Sequence, residues 1–402
     1  MNLLFLVNNT KISPNANGGA SVYFSHLELL SKMGYKVHVL MVDFKNGEEG
    51  KISATVNSEY IQEIKGFYSE IKHFQVAQIH PKGILNRIKS AISAPEKFEY
   101  FFVNSQNENI LKNYISTHKI DIVWAEWRWT AILAHYSNLT VPVIYAHHDW
   151  EFKLRKLKSS LSFLEKFHLK QKKRVELDLV KHVSGCVSAS FTEAEEIKAY
   201  GNSKAMYIPL TYQEVEMTKN DFETPSIVHL GGMGTTANRI GLERFLEVCW
   251  NDLKQKLPSV TLKVIGNLKY ASDSLKKRLE DPQINCLGFV EDLQPELKAY
   301  DIHIIPWEYN TGTRTRIPLV FNRGQVLVCT KAAASCYPEV IHNKNSILSD
   351  DLSQMTIQLL DLYKNQEKRI FIGNNARKTF QEHFTFGQHI GKLKAFVESI
   401  KL

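Results

Sequence analysis

The sequence predicts an α/β protein built from two doubly wound parallel sheets in tandem. Short runs of Ile, Val and Leu alternate with amphipathic helical stretches, and this rhythm restarts after residues 209–225. The length of 402 residues also favours two domains, because it exceeds what one ordinary hydrophobic core serves. We expect an N-terminal domain over residues 1–208 and a second domain over residues 209–385. A C-terminal helix, residues 386–402, is expected to pack back on the first domain.

Each predicted strand is a short apolar run bounded by glycine, proline or polar residues, as is typical of strands buried on both faces. In the first half the runs cover residues 3–7, 36–42, 120–124, 141–146 and 186–189. In the second half they cover residues 226–230, 261–265, 284–289, 301–305 and 325–329. Helical patterns follow the first strand from residue 18, cover residues 241–256, and dominate from residue 353 onward.

Composition and charge narrow the class of protein. An apolar fraction of 44% and a charged fraction of 23% are typical of a soluble globular protein. The net charge of +8 fits either solvated lysine-rich surfaces or attraction to phosphates and anionic membranes. No motif interleaves aromatic and basic residues as nucleic-acid binders do, so nucleic acid is disfavoured as a partner.

Cysteine usage and the apolar runs bear on the compartment. The five cysteines show no CxxC spacing, which argues against a disulfide framework or a zinc site and favours a reducing compartment. The first apolar run lacks a basic flank and a cleavage motif, and no run approaches a membrane span. We therefore expect a cytoplasmic protein, peripheral at most to the inner face of the cytoplasmic membrane.

Two basic segments bear on that membrane question. Residues 82–102 alternate basic and apolar side chains, and residues 153–181 carry ten Lys or Arg against three acidic residues. Either segment can present a basic amphipathic face to an anionic membrane. For the second segment an ordinary solvated helix face is the favoured interpretation.

The segment over residues 306–324 has the features of an anion site. It follows the buried run at 301–305, and a turn with Gly312 and Thr313 leads to Arg314 and Arg316. Backbone N–H groups at such a turn and helix start favour a phosphate, and a guanidinium can bind two of its oxygens at once. No carboxylate lies between residues 308 and 339.

Glycine-rich turns follow the first predicted strand of each half. Gly18 and Gly19 follow one, and Gly232 follows the other. Glycine lets the backbone approach a ligand closely, and a helix opened there points its N-terminus at that ligand. A tight strand-to-helix turn without any ligand is the alternative.

These motifs together resemble the retaining glycosyltransferases of the family 4 type. In the second half the matching strings are HLGG at residues 229–232, ANRIG at 237–241, LKVIG at 262–266, NCLGFV at 285–290, YDIHIIP at 300–306 and GTRTRI at 312–317. In the first half they are the glycine pair at 18–19 and VIYAHHDWE at 143–151. The resemblance spans most of the chain and is more specific in the second half.

The resemblance implies a GT-B fold, in which two Rossmann-like domains face each other across a cleft. It also implies transfer of a sugar from a nucleotide-diphosphate donor to a glycan or lipid-linked acceptor in cell-surface polysaccharide or glycolipid synthesis. The family generally needs neither metal nor cofactor. A catalytically silent GT-B binding or scaffold subunit is one alternative, and a GT-B sugar-nucleotide epimerase, by analogy of fold alone, is another.

The resemblance also suggests roles for charged residues on the donor side. Arg316 stands where the family has its phosphate-binding lysine, and Arg239 stands where a second basic residue commonly follows. Arg314 is a less favoured partner, because alternating residues of a turn rarely face the same way. Pairing of these arginines with nearby carboxylates is the alternative interpretation.

On the acceptor side, polar residues follow two predicted strands. The resemblance places either His147 or His148 against the transferred sugar, without choosing between them. Asp149 and Glu151 are candidates for orienting an imidazole or contacting acceptor hydroxyls. Glu126, at the end of a predicted strand, is a further candidate for the acceptor side of the cleft. A metal site in this string is disfavoured, because adjacent residues leaving a strand point apart. Trp127 and Trp129 can stack on a sugar or simply pack.

The sequence departs from the family at the donor site. The family usually has two glutamates eight residues apart, one for the donor hexose and one for the ribose. Here Thr311 and Leu319 occupy those positions, and neither accepts two hydroxyl hydrogen bonds as a carboxylate does. Glu308 or Glu339 can substitute, or the donor is unusual, or no donor is used.

Overall fold

The computed structural model describes residues 1–45, 49–80, 83, 90–156, 160–218 and 224–401. It contains an eight-stranded sheet within residues 2–207 and a six-stranded sheet within residues 227–349. Both sheets are parallel apart from one edge pairing in the first, and helices follow most strands. The predicted α/β class with two doubly wound sheets is confirmed.

The first sheet has the strand order β3-β4-β2-β1-β5-β6-β7-β8. Its strands are β1 (Asn2–Asn8), β2 (Lys36–Asp43), β3 (Lys51–Ser53), β4 (Glu70–Gln75), β5 (Ile122–Glu126), β6 (Val143–His147), β7 (Gly185–Ser188) and β8 (Ala205–Tyr207). Only β3 and β4 pair antiparallel. Because the order reverses between β1 and β5, a crevice opens at the carboxyl ends of these strands, where doubly wound folds bind ligands.

The second sheet has the strand order β11-β10-β9-β12-β13-β14, with every pairing parallel. Its strands are β9 (Ile227–Leu230), β10 (Leu262–Ile265), β11 (Ile284–Gly288), β12 (Ile302–Ile305), β13 (Val326–Thr330) and β14 (Ser346–Ser349). Its order reverses between β9 and β12, so this sheet has a second crevice of the same kind.

Helices cover both faces of each sheet. The first half contains α1 (Gly18–Lys32), α2 (Ser58–Ile61), α3 (Pro95–Glu99), α4 (Ser105–Thr117), α5 (Trp127–Tyr136), α6 (Glu151–Lys156), α7 (Phe163–His182) and α8 (Phe191–Ala199). The second half contains α9 (Thr236–Val248), α10 (Trp250–Lys256), α11 (Asp273–Arg278), α12 (Arg316–Asn322), α13 (Lys331–Ala334), α14 (Leu352–Lys364), α15 (Gln366–His383) and α16 (Ile390–Lys401). The helix expected over residues 241–256 begins at Thr236 and is broken at Cys249. Among the described helices, none combines the length and apolarity needed to cross a membrane.

The strand side chains form the cores, and the last helix joins the first of them. Leu393 and Val397 of α16 lie in the same buried cluster as Leu3 of β1. Gly185 of β7 leaves room for this helix, since a Cβ there would lie 2.7 Å from Ile400 Cδ1. The helix therefore packs against the first sheet. The predicted domain boundaries at residues 208 and 385 remain a prediction.

Contacts between the two halves bring their crevices together. The Ser25 and Thr211 hydroxyl oxygens lie 2.7 Å apart. Gly18 approaches the second half so closely that a Cβ would lie 2.9 Å from Thr315 Oγ1. The carboxyl edges of both sheets consequently border one shared cleft.

Candidate active site

A cleft of about 650 Å³ lies between the two sheets. The predicted site residues that line it are Gly18, Gly19, His147, His148, Asp149, Gly232, Gly312, Thr313, Arg314 and Arg316. Three other predicted residues, Glu126, Glu151 and Arg239, are not among its lining residues. Within the described part of the chain, Asp149 is the only acidic residue of the lining.

Arg316 is a partly buried cation, with a buried Nη1 and no carboxylate partner among the described residues. Its Nη2 donates to Asn238 Oδ1 at 2.6 Å, and its Nη1 is buried with no hydrogen-bond acceptor in the described structure. Burial, reinforced by the neighbouring Arg314, lowers the pKa of Arg316 to about 9. An isolated buried charge is costly, so this position favours an anionic ligand that compensates it.

Arg314 lies in the same wall of the cleft. Its Nη2 donates to the Thr311 carbonyl oxygen at 2.6 Å, and its guanidinium lies 5.7 Å from the centre of the Trp307 ring. Burial lowers the pKa of Arg314, and nearby Glu193 and Asp149 oppose that shift only in part. Both arginines therefore line the cleft, although alternate residues of a turn were expected to face apart.

Arg239 has a different environment from these two arginines. Its Nη1 donates to the Met233 carbonyl oxygen at 3.1 Å, across the turn that follows β9. The Arg239 side chain binds the backbone of that turn and does not line the cleft, so its position gives no support to a diphosphate contact.

The glycine-rich turns pack backbone against backbone at the cleft. A Cβ at Gly266 would lie 2.5 Å from the Gly231 carbonyl carbon, and Gly231 itself has φ +148°. Asn17 caps α1 by accepting from the Ala20 N–H at 3.0 Å. The first residues of the long helices α1 and α9 border the cleft, so two helix N-termini add to its attraction for anions.

His148 is held by a fully buried carboxylate. Glu126, at the end of β5, accepts from His148 Nε2 at 2.8 Å and from Trp124 Nε1 at 2.7 Å, and it contacts His26 Nδ1 at 2.7 Å. Burial alone would raise the pKa of Glu126, but the two histidines outweigh it and lower the pKa to about 2. Glu126 is thus an ionised group that holds His148 from behind the cleft wall, and it is not among the residues that line the cleft.

His147 is linked to the opposite half of the molecule. Its Nδ1 lies 3.3 Å from Glu193 Oε2, while Glu193 Oε1 accepts from the Gly312 N–H at 3.1 Å. Glu193 therefore connects the end of β6 to the turn that carries Arg314 and Arg316. Glu193 was not a candidate in the sequence, because nothing in its local pattern distinguishes it from other charged helix residues.

A buried ion network supports the Asp149 loop. Arg128 lies 3.6 Å from Asp149, 3.1 Å from Glu151 and 3.3 Å from Glu176. Glu151 is therefore turned toward Arg128 and away from the cleft. Burial, resisted by Arg128, raises the pKa of Glu176 to about 7.

The two tryptophans after β5 contact each other, with ring centres 5.0 Å apart, but only Trp127 reaches the cleft. Trp127 lines the cleft with a positive φ of 68°, a strained conformation for a bulky residue that tends to occur at functional sites. Trp129 instead packs with Phe44 and Phe102. Of the two, only Trp127 is placed to contact a ligand.

Thr311 and Leu319 stand where the resemblance predicts two glutamates, and none of the described lining residues of the second half is acidic. Leu319 lines the cleft with its side chain buried. The candidates for replacing the missing glutamates are engaged elsewhere, since Glu308 pairs with Arg244 and Glu339 accepts from the Tyr207 hydroxyl at 2.9 Å. Neither belongs to the lining of the cleft.

Comparison with solved structures shows that this fold is GT-B. HepE from Anabaena, solved with UDP and glucose, has a TM-score of 0.68 at 14% identity, with 99% of both chains covered. Sucrose-phosphate synthase from Thermosynechococcus elongatus has a TM-score of 0.70 at 12% identity, covering 100% of this chain and 99% of that one. The lipopolysaccharide outer core galactosyltransferase WaaB has a TM-score of 0.60 at 12% identity, with 99% of both chains covered.

The sequence itself matches one family. Residues 224–365 match the profile of the family described as glycosyl transferases group 1. No curated protein sequence matches the chain. The predicted resemblance to the GT-B glycosyltransferases is therefore confirmed, by the family profile in the second half and by the fold over the whole chain.

Proposed function

We propose that this protein is a retaining glycosyltransferase that takes its sugar from a nucleotide-diphosphate donor. The observation that carries the proposal is Arg316, a partly buried guanidinium in the cleft whose only described partner is the neutral Asn238 and whose Nη1 is buried without an acceptor. A diphosphate would supply the missing negative charge, and Arg314 would share it. The family match over residues 224–365 and the UDP bound by HepE support a donor of this class.

The donor would lie against the second sheet. Its diphosphate would contact Arg314, Arg316 and the backbone of the glycine turns, and its base would reach the mouth of the cleft. Tyr270 and Phe289 line that mouth with 60% and 61% of their surface exposed, so their ring faces are open for stacking. Without a carboxylate for the ribose, base stacking and phosphate contacts would carry most of the donor affinity.

The chemistry would depend on charge stabilisation at the leaving diphosphate. Both arginines and the helix N-termini act where negative charge develops as the glycosidic bond breaks, which is commonly the largest catalytic contribution. The leaving phosphate would take the proton of the acceptor hydroxyl on the same face of the sugar. This gives retention of configuration and needs no protein base and no metal.

His148 is the histidine we assign to the transferred sugar. Its side chain is 11% exposed against 1% for His147, and Glu126 fixes its Nε2 as a donor toward the protein. The other ring nitrogen is then the one available to the sugar. Asp149, which also lines the cleft, would bind an acceptor hydroxyl.

We further propose a lipid-linked or glycan acceptor at the inner face of the cytoplasmic membrane. The start of α7 exposes Phe163, Leu164 and Phe167 at 84%, 68% and 36%, next to exposed lysines. An apolar patch with basic neighbours suits the surface of an anionic membrane. Residues 157–159, and residues 82 and 84–89 of the other basic segment, lie outside the described residues. WaaB, a lipopolysaccharide galactosyltransferase of similar fold, supports this class of acceptor.

A panel of nucleoside diphosphates and nucleotide sugars tests the proposal. We expect one nucleotide to raise the melting temperature, and its sugar derivative to be hydrolysed slowly in the absence of acceptor. Retention is checked by the anomeric configuration of the product. No stabilisation by any nucleotide would contradict the proposal.

One observation favours a second candidate, a catalytically silent GT-B subunit. Thr311 and Leu319 remove both carboxylates that the family uses to hold a donor. A silent subunit would show no turnover of any nucleotide sugar under conditions in which the diphosphate binds. Binding together with turnover would exclude it.

A further inference from the structure

We propose that His38, Glu70 and His118 form a site for a divalent transition-metal ion, best suited to Zn²⁺. Within the described residues, these three side chains are the one group whose ligand atoms converge as a metal requires, all within 4.8 Å of one another. Two imidazoles and one carboxylate are a donor set that zinc accepts readily. The site lies outside the cleft and does not depend on the proposed transferase activity.

The backbone brings the three residues together without strain. His38 on β2 and Glu70 on β4 are register partners in adjacent parallel strands. His118 follows the end of α4, and its ring lies 5.2 Å from that of His38. The ligands thus come from three separate elements at the amino end of the first sheet. His38 is five residues from the carboxyl end of β2 at Asp43, which places the group roughly 17 Å from the cleft edge.

Two of the three distances between ligand atoms match those expected around a tetrahedral ion, and the third lies within 4.8 Å. His38 Nδ1 and His118 Nδ1 each lie 3.2 Å from Glu70 Oε2. Ligands at the usual zinc distances of about 2.0–2.1 Å around a tetrahedron are themselves about 3.3 Å apart. The ion would replace the proton now shared between His38 Nδ1 and Glu70 Oε2, and His118 would supply the second imidazole.

The surroundings provide both an entry path and orientation. Side chains of Glu70 and His118 are 29% and 21% exposed, so a water molecule can occupy the fourth position. Tyr114 donates to Glu70 Oε2 at 3.1 Å, and Lys72 Nζ lies 2.8 Å from Glu70 Oε1. These contacts hold the carboxylate in place, as groups behind metal ligands commonly do.

Replacing Lys72 should change Zn²⁺ affinity in the direction opposite to the loss of a ligand. Its ammonium competes with an incoming cation for the charge of Glu70. Lys72→Met should therefore strengthen Zn²⁺ binding several-fold, whereas His118→Ala should weaken it at least tenfold. A purely structural hydrogen-bond cluster would show neither effect.

The chain also supplies a matched control. His135 and His182 flank Asp178, but His182 contacts Oδ1 at 3.0 Å while His135 lies 3.7 Å from Oδ2, so their nitrogens do not converge on one point. His182→Ala removes a histidine next to a carboxylate without touching the proposed ligands. Its effect on Zn²⁺ binding should be negligible.

The experiment is a calorimetric titration of the full-length, tag-free, chelator-treated protein with Zn²⁺ alone. We expect saturable one-to-one binding in wild type and His182→Ala, at least tenfold weaker binding in His118→Ala and in Glu70→Gln, and tighter binding in Lys72→Met. Circular dichroism of each variant confirms folding. Absent binding, or binding equally affected by His182→Ala and His118→Ala, would overturn the proposal.

Discussion

Replacing Arg316 by methionine should weaken donor binding and, at the same time, stabilise the unliganded protein. The apolar side chain removes a charge whose burial lowers its pKa to about 9 and whose only described hydrogen bond is to Asn238. Exchanging a poorly compensated buried charge for an apolar group of similar volume is often stabilising. We expect a gain of about 1 kcal/mol, which corresponds to about 1 °C in melting temperature for a protein of this size.

The loss of donor affinity follows from the same contact. Removing one partner of a buried charge pair costs about 2–5 kcal/mol, and Arg314 remains to hold part of the diphosphate. The lower end of that range applies, so the dissociation constant for the best nucleoside diphosphate should rise about 30- to 150-fold. Arg316→Lys keeps the charge but loses the two-pronged contact, so the increase should be about fivefold.

Calorimetric titration and thermal melting of the same samples measure both effects. Arg244→Met is the matched control, because this exposed arginine pairs with Glu247 and Glu308 away from the cleft lining. It should leave nucleotide affinity unchanged. A destabilised Arg316→Met protein that still binds nucleotide normally would refute the assignment of Arg316 as an uncompensated phosphate ligand.

Three further predictions concern other parts of the structure. Glu126→Gln should lower kcat about 10- to 100-fold and change its pH profile while donor affinity stays within twofold, because Glu126 orients His148 without lining the cleft; equal losses in affinity and kcat would contradict this. Gly18→Val should reduce donor binding, since its Cβ would lie 2.9 Å from Thr315 Oγ1; titration shows this, and unchanged binding would count against the close approach. The pKa of His303 is lowered by burial to about 3, so the unfolded state binds the proton first and stability falls as pH drops below 6.5. The free energy of unfolding, measured with urea, should fall more slowly with decreasing pH in His303→Gln than in wild type, by about 1.4 kcal/mol per pH unit below pH 6.5. Identical slopes in the two proteins would be inconsistent with a buried neutral His303.

The fold was largely predictable because its strands are apolar runs of the length that buried parallel strands require. Four strands at or next to the sheet edges were missed, namely Lys51–Ser53, Glu70–Gln75, Ala205–Tyr207 and Ser346–Ser349. Lys51–Ser53 and Glu70–Gln75 carry polar residues and lie at and next to a partly exposed edge, where no continuous hydrophobic run is needed. Their existence depends on neighbouring strands, which local pattern does not record.

The cleft was predictable where a residue type has a strong local meaning. Glycines after a strand and arginines after a turn pointed to Gly18 and Arg316. Roles that depend on packing between distant residues were not accessible. Its place at a strand end predicted Glu126 as an acceptor-side residue, but the local pattern did not record its buried contacts with His26 and His148. The link from Glu193 to Gly312 joins residues 119 positions apart and has no counterpart in the sequence pattern.

A crystal structure of the protein with its best nucleoside diphosphate tests the central claim most directly. We predict phosphate oxygens within hydrogen-bond distance of the Arg316 guanidinium and of backbone N–H groups at the Gly18–Gly19 turn, with Arg314 as a second ligand. A diphosphate bound elsewhere, with Arg316 still bonded only to Asn238, would contradict the account.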